Sequence, residues 1–559
     1  MPHSGKLGAR KVEWNIGNIY DAVVEVCTED DPALIHSGPG GSKGLVISWP
    51  EFDRRTNRLA RFLQEAGLQP DSKVAHYMRN CPAYVESLVA SFKGRFVHVN
   101  INYRYLDDEL HYIMENSDSE AVVFASEFRP QVEALKDRLP LVKAWIEVPP
   151  YFSDEPWSSA PFATNFNEAI AQGDSGKLDI ERLGSDLMFI YTGGTTGMPK
   201  AVMWENETFW EALGSGSSLL AEGVAPPVTI AEHTARVTAA PMRGRLLAAC
   251  PLMHGTALLG AISTLSQGGC VVTMPEMSLD TEAMWRTVER YGVNSMAIVG
   301  DAFAKPMLRE LDNNPDEYDI SSVMGMLSSG VMWSPEVKQG LLKHNQNMVL
   351  ADLFGASEGV GFGSSITTSE ESSQVAKFQI GEECKVFTED FREVVPGSGE
   401  PGFTARSGGI PLGYYKDEKK TASTFPVING VRYSVPGDWC TVDTDGTLTL
   451  LGRGSVCINS GGEKIYPEEI EEALKAHESV DDALVVGIPD ERWGQAVTGV
   501  VVLATDSQLD EEALRNHVKK HLAAYKAPKR VLSAGVALRA PNGKADYKGV
   551  TDFAVKALG

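Results

Sequence analysis

From Phe52 onward the sequence alternates stretches of helical spacing with short apolar runs, and that alternation leaves few architectures open. FDRRTNRLARFLQEAGL (Phe52 to Leu68) repeats its apolar residues with the helical period and stops at a glycine suited to a C-cap. SKVAHYM follows it as a strand, and AVVFAS (Ala121 to Ser126) and GGCVVTM (Gly268 to Met274) have the same character. Helix and strand alternating through several hundred residues specify a layered α/β fold. The polar, Pro- and Ser-rich PPYFSDEPWSSAPFATN (Pro149 to Asn165) reads as a long surface connection. At 559 residues the chain is too long for a single core.

The last hundred residues change character. EEIEEALKAH (Glu468 to His477) is a charged amphipathic helix, ALVVGI and AVTGVVVLAT are strands, LDEEALRNHVKKHL is a helix, RVLSAGVAL a strand and DYKGVTDFAVKAL a closing helix. The expectation is therefore α/β: a large N-terminal domain of layered α/β subdomains plus a small mobile C-terminal α+β domain. The boundary is placed at 1–453 and 454–559, within LGRGS (Leu451 to Ser455), whose glycines allow the large dihedral changes a hinge needs.

The net charge of −24 disfavours general nucleic-acid binding, and it means that any polyanionic ligand must be met by local cations. No run approaches the roughly 18 apolar residues of a membrane span. The start, MPHSGKLGARKVEW, has no apolar leader core, so a cytoplasmic location is expected. The seven cysteines are scattered without a CxxC pair, which suits reduced residues rather than a disulfide or zinc framework.

One loop carries the chemistry. DLMFIY (Asp186 to Tyr191) reads as a buried strand and runs into TGGTTGMPK, from Thr192 to Lys200. Glycines at 193, 194 and 197 let backbone N–H groups approach an anion, Thr192, Thr195 and Thr196 add hydroxyl donors, and Lys200 adds a mobile charge. The Walker spacing is absent, because Pro199 precedes the lysine and Ala201 follows it. This is a phosphate loop of another kind.

The loop resembles the signature of the adenylate-forming enzymes: acyl-CoA synthetases, adenylation domains and luciferases. Further segments follow in that superfamily's order from residue 186 to 547. FGASEG (Phe354 to Gly359) is similar to its second adenylate motif. The resemblance implies nucleotide contacts from Phe354, Gly355 and Ser357, and Mg²⁺ held on the ATP phosphates by Glu358 with Thr195. SSGVMWS (Ser328 to Ser334) falls where the adenine turn is expected, at Gly330. YSVPGDW (Tyr433 to Trp439) implies that Asp438 accepts from the ribose hydroxyls, a role that suits an acceptor-only carboxylate.

GRGSVCINSGGEKIYPEEIEE (Gly452 to Glu472) resembles the hinge and the start of the mobile domain. It implies Arg453 near the ribose and phosphate, and Gly461, Gly462 and Lys464 along the pantetheine of CoA. Ser455 and Asn459 stand where the superfamily usually has aspartate and lysine. PNGKADY (Pro541 to Tyr547) implies Lys544 as the adenylation lysine, and PLMHG (Pro251 to Gly255) implies His254 at the acyl carboxylate. Met253, Gly300 to Phe303 and Met332 to Trp333 are candidate acyl-pocket segments.

The texture of YTGGTTGMPK, GDAFAKPML, SVPGDW and GRGSVCIN looks like the actinobacterial acyl-CoA synthetases that act on sterol side-chain acids, with a related branch for terpenoid acids. The implied function is an AMP-forming acid–thiol ligase using ATP, Mg²⁺, CoA and a small-molecule carboxylic acid. Catalysis is expected from Lys544, Glu358, His254 and Lys200. Dimers are common among such enzymes, so a homodimer is one expected assembly. Ala201 departs from the glycine usual after the loop lysine. If that backbone needs a positive φ or close phosphate approach, the methyl strains the loop. The alternative is then a thiolation-biased enzyme fed with acyl-adenylate by a partner enzyme. Loading onto a carrier protein is a further alternative.

Overall fold

The computed structural model describes residues 14–105, 107–192, 198–215, 225–330, 333–370, 377–453, 456–460, 463–490, 494–522, 524–539 and 545–558. Two compact units result. The first comprises Met1–Gly361, Ile366–Ser373 and Ser407–Pro426; the second comprises Phe362–Ser365, Gln374–Arg406 and Val427–Gly559.

Two large sheets organise the first unit. One runs in spatial order Gly413–Tyr414, Lys200–Glu205, Leu187–Thr192, Val97–Asn100, Lys73–Tyr77, Ser119–Ala125, Ala144–Val148 and Thr164–Asn165. From Leu187–Thr192 outward its pairs are parallel. The other contains, in order, Val349–Ala356, Gly325–Ser329, Ser295–Ile298, Arg245–Ala248, Cys270–Thr273, Pro32–Gly38 and Ser42–Ser48, all parallel except the last pair. The layered α/β architecture expected from the sequence is the one observed. The predicted helix at Phe52 is Trp49–Glu65, started by a Ser48 cap and Pro50 in its first turn and followed by Gly67 at φ +95°.

Helix Pro82–Gly94 is buried along its whole length and belongs to the large core that includes residues of both sheets. A helix covered all round must be apolar or must pair its charges. Glu86 meets Arg55 at 2.5 Å, and Lys93 is paired with Asp53 and lies 3.6 Å from Asp21. Asp21 also receives Arg182 at 2.7 Å, so no buried charge here stands alone. The turn out of this helix uses Arg95 at φ +62°, whose guanidinium is fixed by Asp186 just ahead of the Leu187–Thr192 strand.

The second unit contains a five-stranded antiparallel sheet in the order Lys377–Phe378, Leu448–Arg453, Asp438–Val442, Gly402–Arg406 and Cys384–Phe387. It also contains the small α+β portion read from the sequence. There Val480–Asp490 and Gly494–Leu503 form a long hairpin, Arg530–Ser533 pairs parallel to the latter, and helices Pro467–Lys475 and Tyr547–Leu558 pack on Val480–Asp490.

Glu471, on the inner face of helix Pro467–Lys475, accepts from the Val485 amide at 2.9 Å and from the Tyr547 hydroxyl at 3.3 Å. Burial, with Glu468 nearby, pushes its carboxyl from 4.5 up to about 8. Between those values the folded chain holds a proton that the unfolded chain has released. The contribution of Glu471 to stability is therefore full at low pH and is lost as pH rises through this window. Glu471→Gln keeps the acceptor and removes the titration. Corrected for intrinsic exchange rates, hydrogen exchange of the Val480–Asp490 strand is expected to quicken from pH 5 to pH 8 in the wild type and to lose that trend in the variant.

Candidate functional site

Parallel pairing decides where the predicted loops go. In the second sheet Ala248, Ala297, Leu327 and Ala351 form one row across four strands. All four strands run the same way, so everything after that row emerges on one edge: Cys250–His254, Gly300, Gly330 and Phe354–Glu358. In this sheet the order reverses at Arg245–Ala248, whose chain-order successors Cys270–Thr273 and Ser295–Ile298 lie on opposite sides. In the first sheet it reverses at Lys73–Tyr77, flanked by Val97–Asn100 and Ser119–Ala125. Crevices beyond the carboxyl ends of strands at such reversals are where open α/β sheets bind ligands.

The carboxyl edges of the two sheets are tied together there by asparagines. Asn80 donates to Ala248 O and Cys250 O, both at 2.9 Å, and accepts from Leu252 N at 2.6 Å. Asn100 accepts from Tyr191 N at 2.7 Å and donates to Tyr191 O at 3.1 Å and Met253 O at 2.8 Å. Both residues went unread in the sequence, where the one available signal was an asparagine closing the apolar run VHVN.

His254 caps helix Gly255–Ser266 with extended backbone, its amide donating to Pro251 O at 3.0 Å. Gly330, at φ +86°, ends its strand with open space where a β-carbon would lie. Phe354 is largely buried, and Ser357 O accepts the indole N–H of the buried Trp204 at 3.0 Å. A β-carbon at Gly355 would come within 3.4 Å of Gly359 O. The Glu358 carboxylate accepts from the Tyr414 hydroxyl at 2.6 Å. Lys200 opens its strand opposite Thr192 and is paired with Asp417. Hydrogen bonds from Lys200 and from the Lys420 amide hold the Asp417 carboxyl below the usual range. Tyr414 and Asp417 were also missed. They come from Ser407–Pro426, a late segment whose two-residue strand Gly413–Tyr414 pairs with Lys200–Glu205. Met253 and Trp333 are buried. Gly193, Gly194, Thr195, Thr196, Gly197, Met332 and Lys544 lie outside the described residues.

Ala201 does not carry the strain that its departure from glycine suggested. It is a regular strand residue paired with Tyr191, its φ is not positive, and its carbonyl accepts from Tyr415 N at 2.9 Å. It is fully buried in a cluster with Phe189 and Tyr191.

In the second unit Asp438 and Arg453 are directly opposed across neighbouring strands, so the two residues implicated in ribose contact share one register position. Gly437 precedes Asp438 at φ +104°. Gly452 has φ +112°, a backbone conformation that favours glycine. Gly454, Ser455, Gly461 and Gly462 fall outside the described residues, as do the side chains of Arg453, Asn459 and Lys464.

No group of three His, Cys, Asp or Glu side chains forms a metal centre among the described residues. A lone carboxylate such as Glu358 suits Mg²⁺, which keeps water and takes phosphate oxygens alongside one or two protein carboxylates. No helix among the described residues is long and apolar enough to cross a membrane.

Comparison with known proteins gives the family and the fold. The AMP-binding enzyme family matches residues 23–415, and the AMP-binding enzyme C-terminal domain matches residues 469–544. The 3-oxocholest-4-en-26-oate–CoA ligase of Rhodococcus rhodochrous is 39% identical over 526 residues, 91% of this chain and 92% of its own. A medium/long-chain-fatty-acid–CoA/3-oxocholest-4-en-26-oate–CoA ligase of Mycobacterium tuberculosis is 38% identical over 504 residues, 90% of each chain. Among solved structures, ATP-bound MatB from Rhodopseudomonas palustris superposes with a TM-score of 0.78 at 20% identity, covering 98% of this chain and 100% of that one. The anthranilate CoA ligase AuaEII in complex with anthranoyl-AMP gives 0.80 at 18% identity, covering 98% of each. At these identities the two structures establish the fold.

The ordinary geometry of Ala201 has a measurable consequence. Ala201→Gly is expected to lower stability by about 1–2 kcal/mol in urea unfolding, from the lost buried methyl and the added backbone entropy. It is expected to leave acid-dependent pyrophosphate exchange at or below the wild-type rate. A large gain in exchange would mean that the methyl does obstruct the loop.

Proposed function

Because the chain belongs to the AMP-binding enzyme family, we propose that it is an AMP-forming acid–thiol ligase joining a bulky carboxylic acid, of the sterol side-chain class, to CoA. The observation that carries this reading is the correspondence, over nine-tenths of both chains, with ligases named for 3-oxocholest-4-en-26-oate.

A free carboxylate is a poor acyl donor because its leaving group is poor. In the first half-reaction its oxygen attacks the α-phosphorus of ATP, the bond to pyrophosphate breaks, and an acyl-adenylate forms. Negative charge grows on the phosphate oxygens. Lys200, Lys544 and the hydroxyls of Thr195 and Thr196 are assigned to stabilise it. Glu358 and Thr195 would hold Mg²⁺, whose charge supplies further neutralisation when bound. Asp438 and Arg453 are assigned to the ribose, Gly330 and Phe354 to the base, and His254 to the reacting carboxylate. In the second half-reaction the CoA thiolate attacks the acyl carbonyl and AMP leaves. Gly461, Gly462 and Lys464 are assigned to the pantetheine arm. No protein nucleophile is required.

Lys544 belongs to the first half-reaction and the Ser460–Lys464 segment to the second. Lys544→Ala is therefore expected to reduce acid-dependent ATP–pyrophosphate exchange by about 10²–10³-fold. Thioester formation from a synthetic acyl-adenylate is expected to remain near the wild-type rate. Equal losses in both assays would reject this division of labour. Across a panel of straight-chain, sterol and terpenoid acids, sterol acids are expected to give the highest kcat/KM. Thioester formation from adenylates with no exchange for any acid would instead assign adenylation to a partner enzyme.

A further inference from the structure

The Asn100 carboxamide joins two segments that the proposed reaction uses for different substrates. Asn100 closes strand Val97–Asn100 and is almost fully buried. Its oxygen accepts from Tyr191 N at 2.7 Å, and its nitrogen donates to Tyr191 O at 3.1 Å, so it pairs with both main-chain polar groups of one strand residue. Tyr191 lies two residues ahead of the Gly193–Gly197 loop. The remaining N–H reaches Met253 O at 2.8 Å, on the residue immediately before His254. One planar group thus uses its oxygen and both N–H donors to fix the strand that launches the phosphate loop against the loop that presents His254.

We propose that Asn100 is a positioning residue that holds the strand end at Tyr191, which leads into the nucleotide loop, against the acyl-side segment at Met253, aligning the carboxylate with the α-phosphorus. This rests on the ligase reading given above. Asn100 is not assigned to either substrate, so its loss leaves each loop with its own ligand and disturbs only their mutual alignment. The signature is a fall in kcat with little change in KM, because a displacement of about 1 Å at reacting atoms reduces rate about 10²-fold.

Asn345 provides the matched comparison. It is also buried, donates to Ile320 O and Val323 O, both at 2.9 Å, and accepts from Asn347 N at 3.1 Å. Its partners lie before the strands Gly325–Ser329 and Val349–Ala356, at the amino-terminal edge of the sheet, away from the loops. Truncating either asparagine removes two donated bonds and one accepted bond.

The experiment measures acid-dependent ATP–pyrophosphate exchange with the best sterol acid for the full-length wild type, Asn100→Ala, Asn100→Asp and Asn345→Ala. Rates are expressed per active site, titrated by the pyrophosphate burst without CoA, and melting temperatures are recorded alongside. Asn100→Asp keeps the volume and the acceptor for Tyr191 N but can donate at most one bond, and only when protonated, and it serves if the alanine variant does not fold. Both Asn100 variants are expected to lose about 10- to 100-fold in kcat, with KM for ATP and acid within about threefold of wild type. Asn345→Ala is expected to lose comparable thermal stability and retain kcat within about twofold. Asn100 variants whose kcat per site matches that of Asn345→Ala would overturn the proposal while leaving the ligase reading intact. A wild type that activates no acid would remove both.

Discussion

Parallel strand pairing is the constraint on which the rest of this molecule depends. A parallel sheet sends every strand's carboxyl end to the same edge, so segments far apart in sequence arrive side by side without contacting one another beforehand. Here Ala248, Ala297, Leu327 and Ala351 stand in one row, and the loops that follow them carry His254, Gly330 and Glu358. The helices and connections between these strands serve mainly to return the chain to the starting edge.

Polar groups buried in such an assembly are costly unless paired, and several here are paired by bridges that also fix geometry. Asn80 and Asn100 each use both amide N–H donors and the carbonyl oxygen where the two sheets meet. Glu86, Lys93, Asp21 and Arg182 form ion pairs around a helix with no solvent-facing side. Removing one member of such a set leaves a charge or donor without a partner, which is why they define a single packing.

The late segment Ser407–Pro426 has a role that its position in the chain conceals. It returns to the first unit, adds a two-residue strand beside Lys200–Glu205, and places Tyr414 on Glu358 and Asp417 on Lys200. Lys200 and Glu358 are therefore held in defined positions by residues more than fifty positions away from either. A cation and a carboxylate held this way keep their side chains ordered at the carboxyl edge.

The sequence by itself determined the class of fold. Helical and strand periodicities are local properties, so the helix after Trp49, the strands at Lys73, Leu187 and Cys270, and the terminal α+β portion were all legible. The glycine- and threonine-rich loop, its lysine, and the spacing of Glu358, Asp438 and Lys544 were legible because they are one-dimensional patterns. Tertiary structure alone decided the partners. Whether Ala201 strains its backbone depends on a cross-strand pair with Tyr191, and no reading of the loop's composition supplies that register. Asn100 is an ordinary residue in VHVN until the fold brings Tyr191 and Met253 to its amide. Periodicity fixes what each segment becomes, whereas hydrogen-bond partners are fixed by which distant segments the sheet order sets side by side.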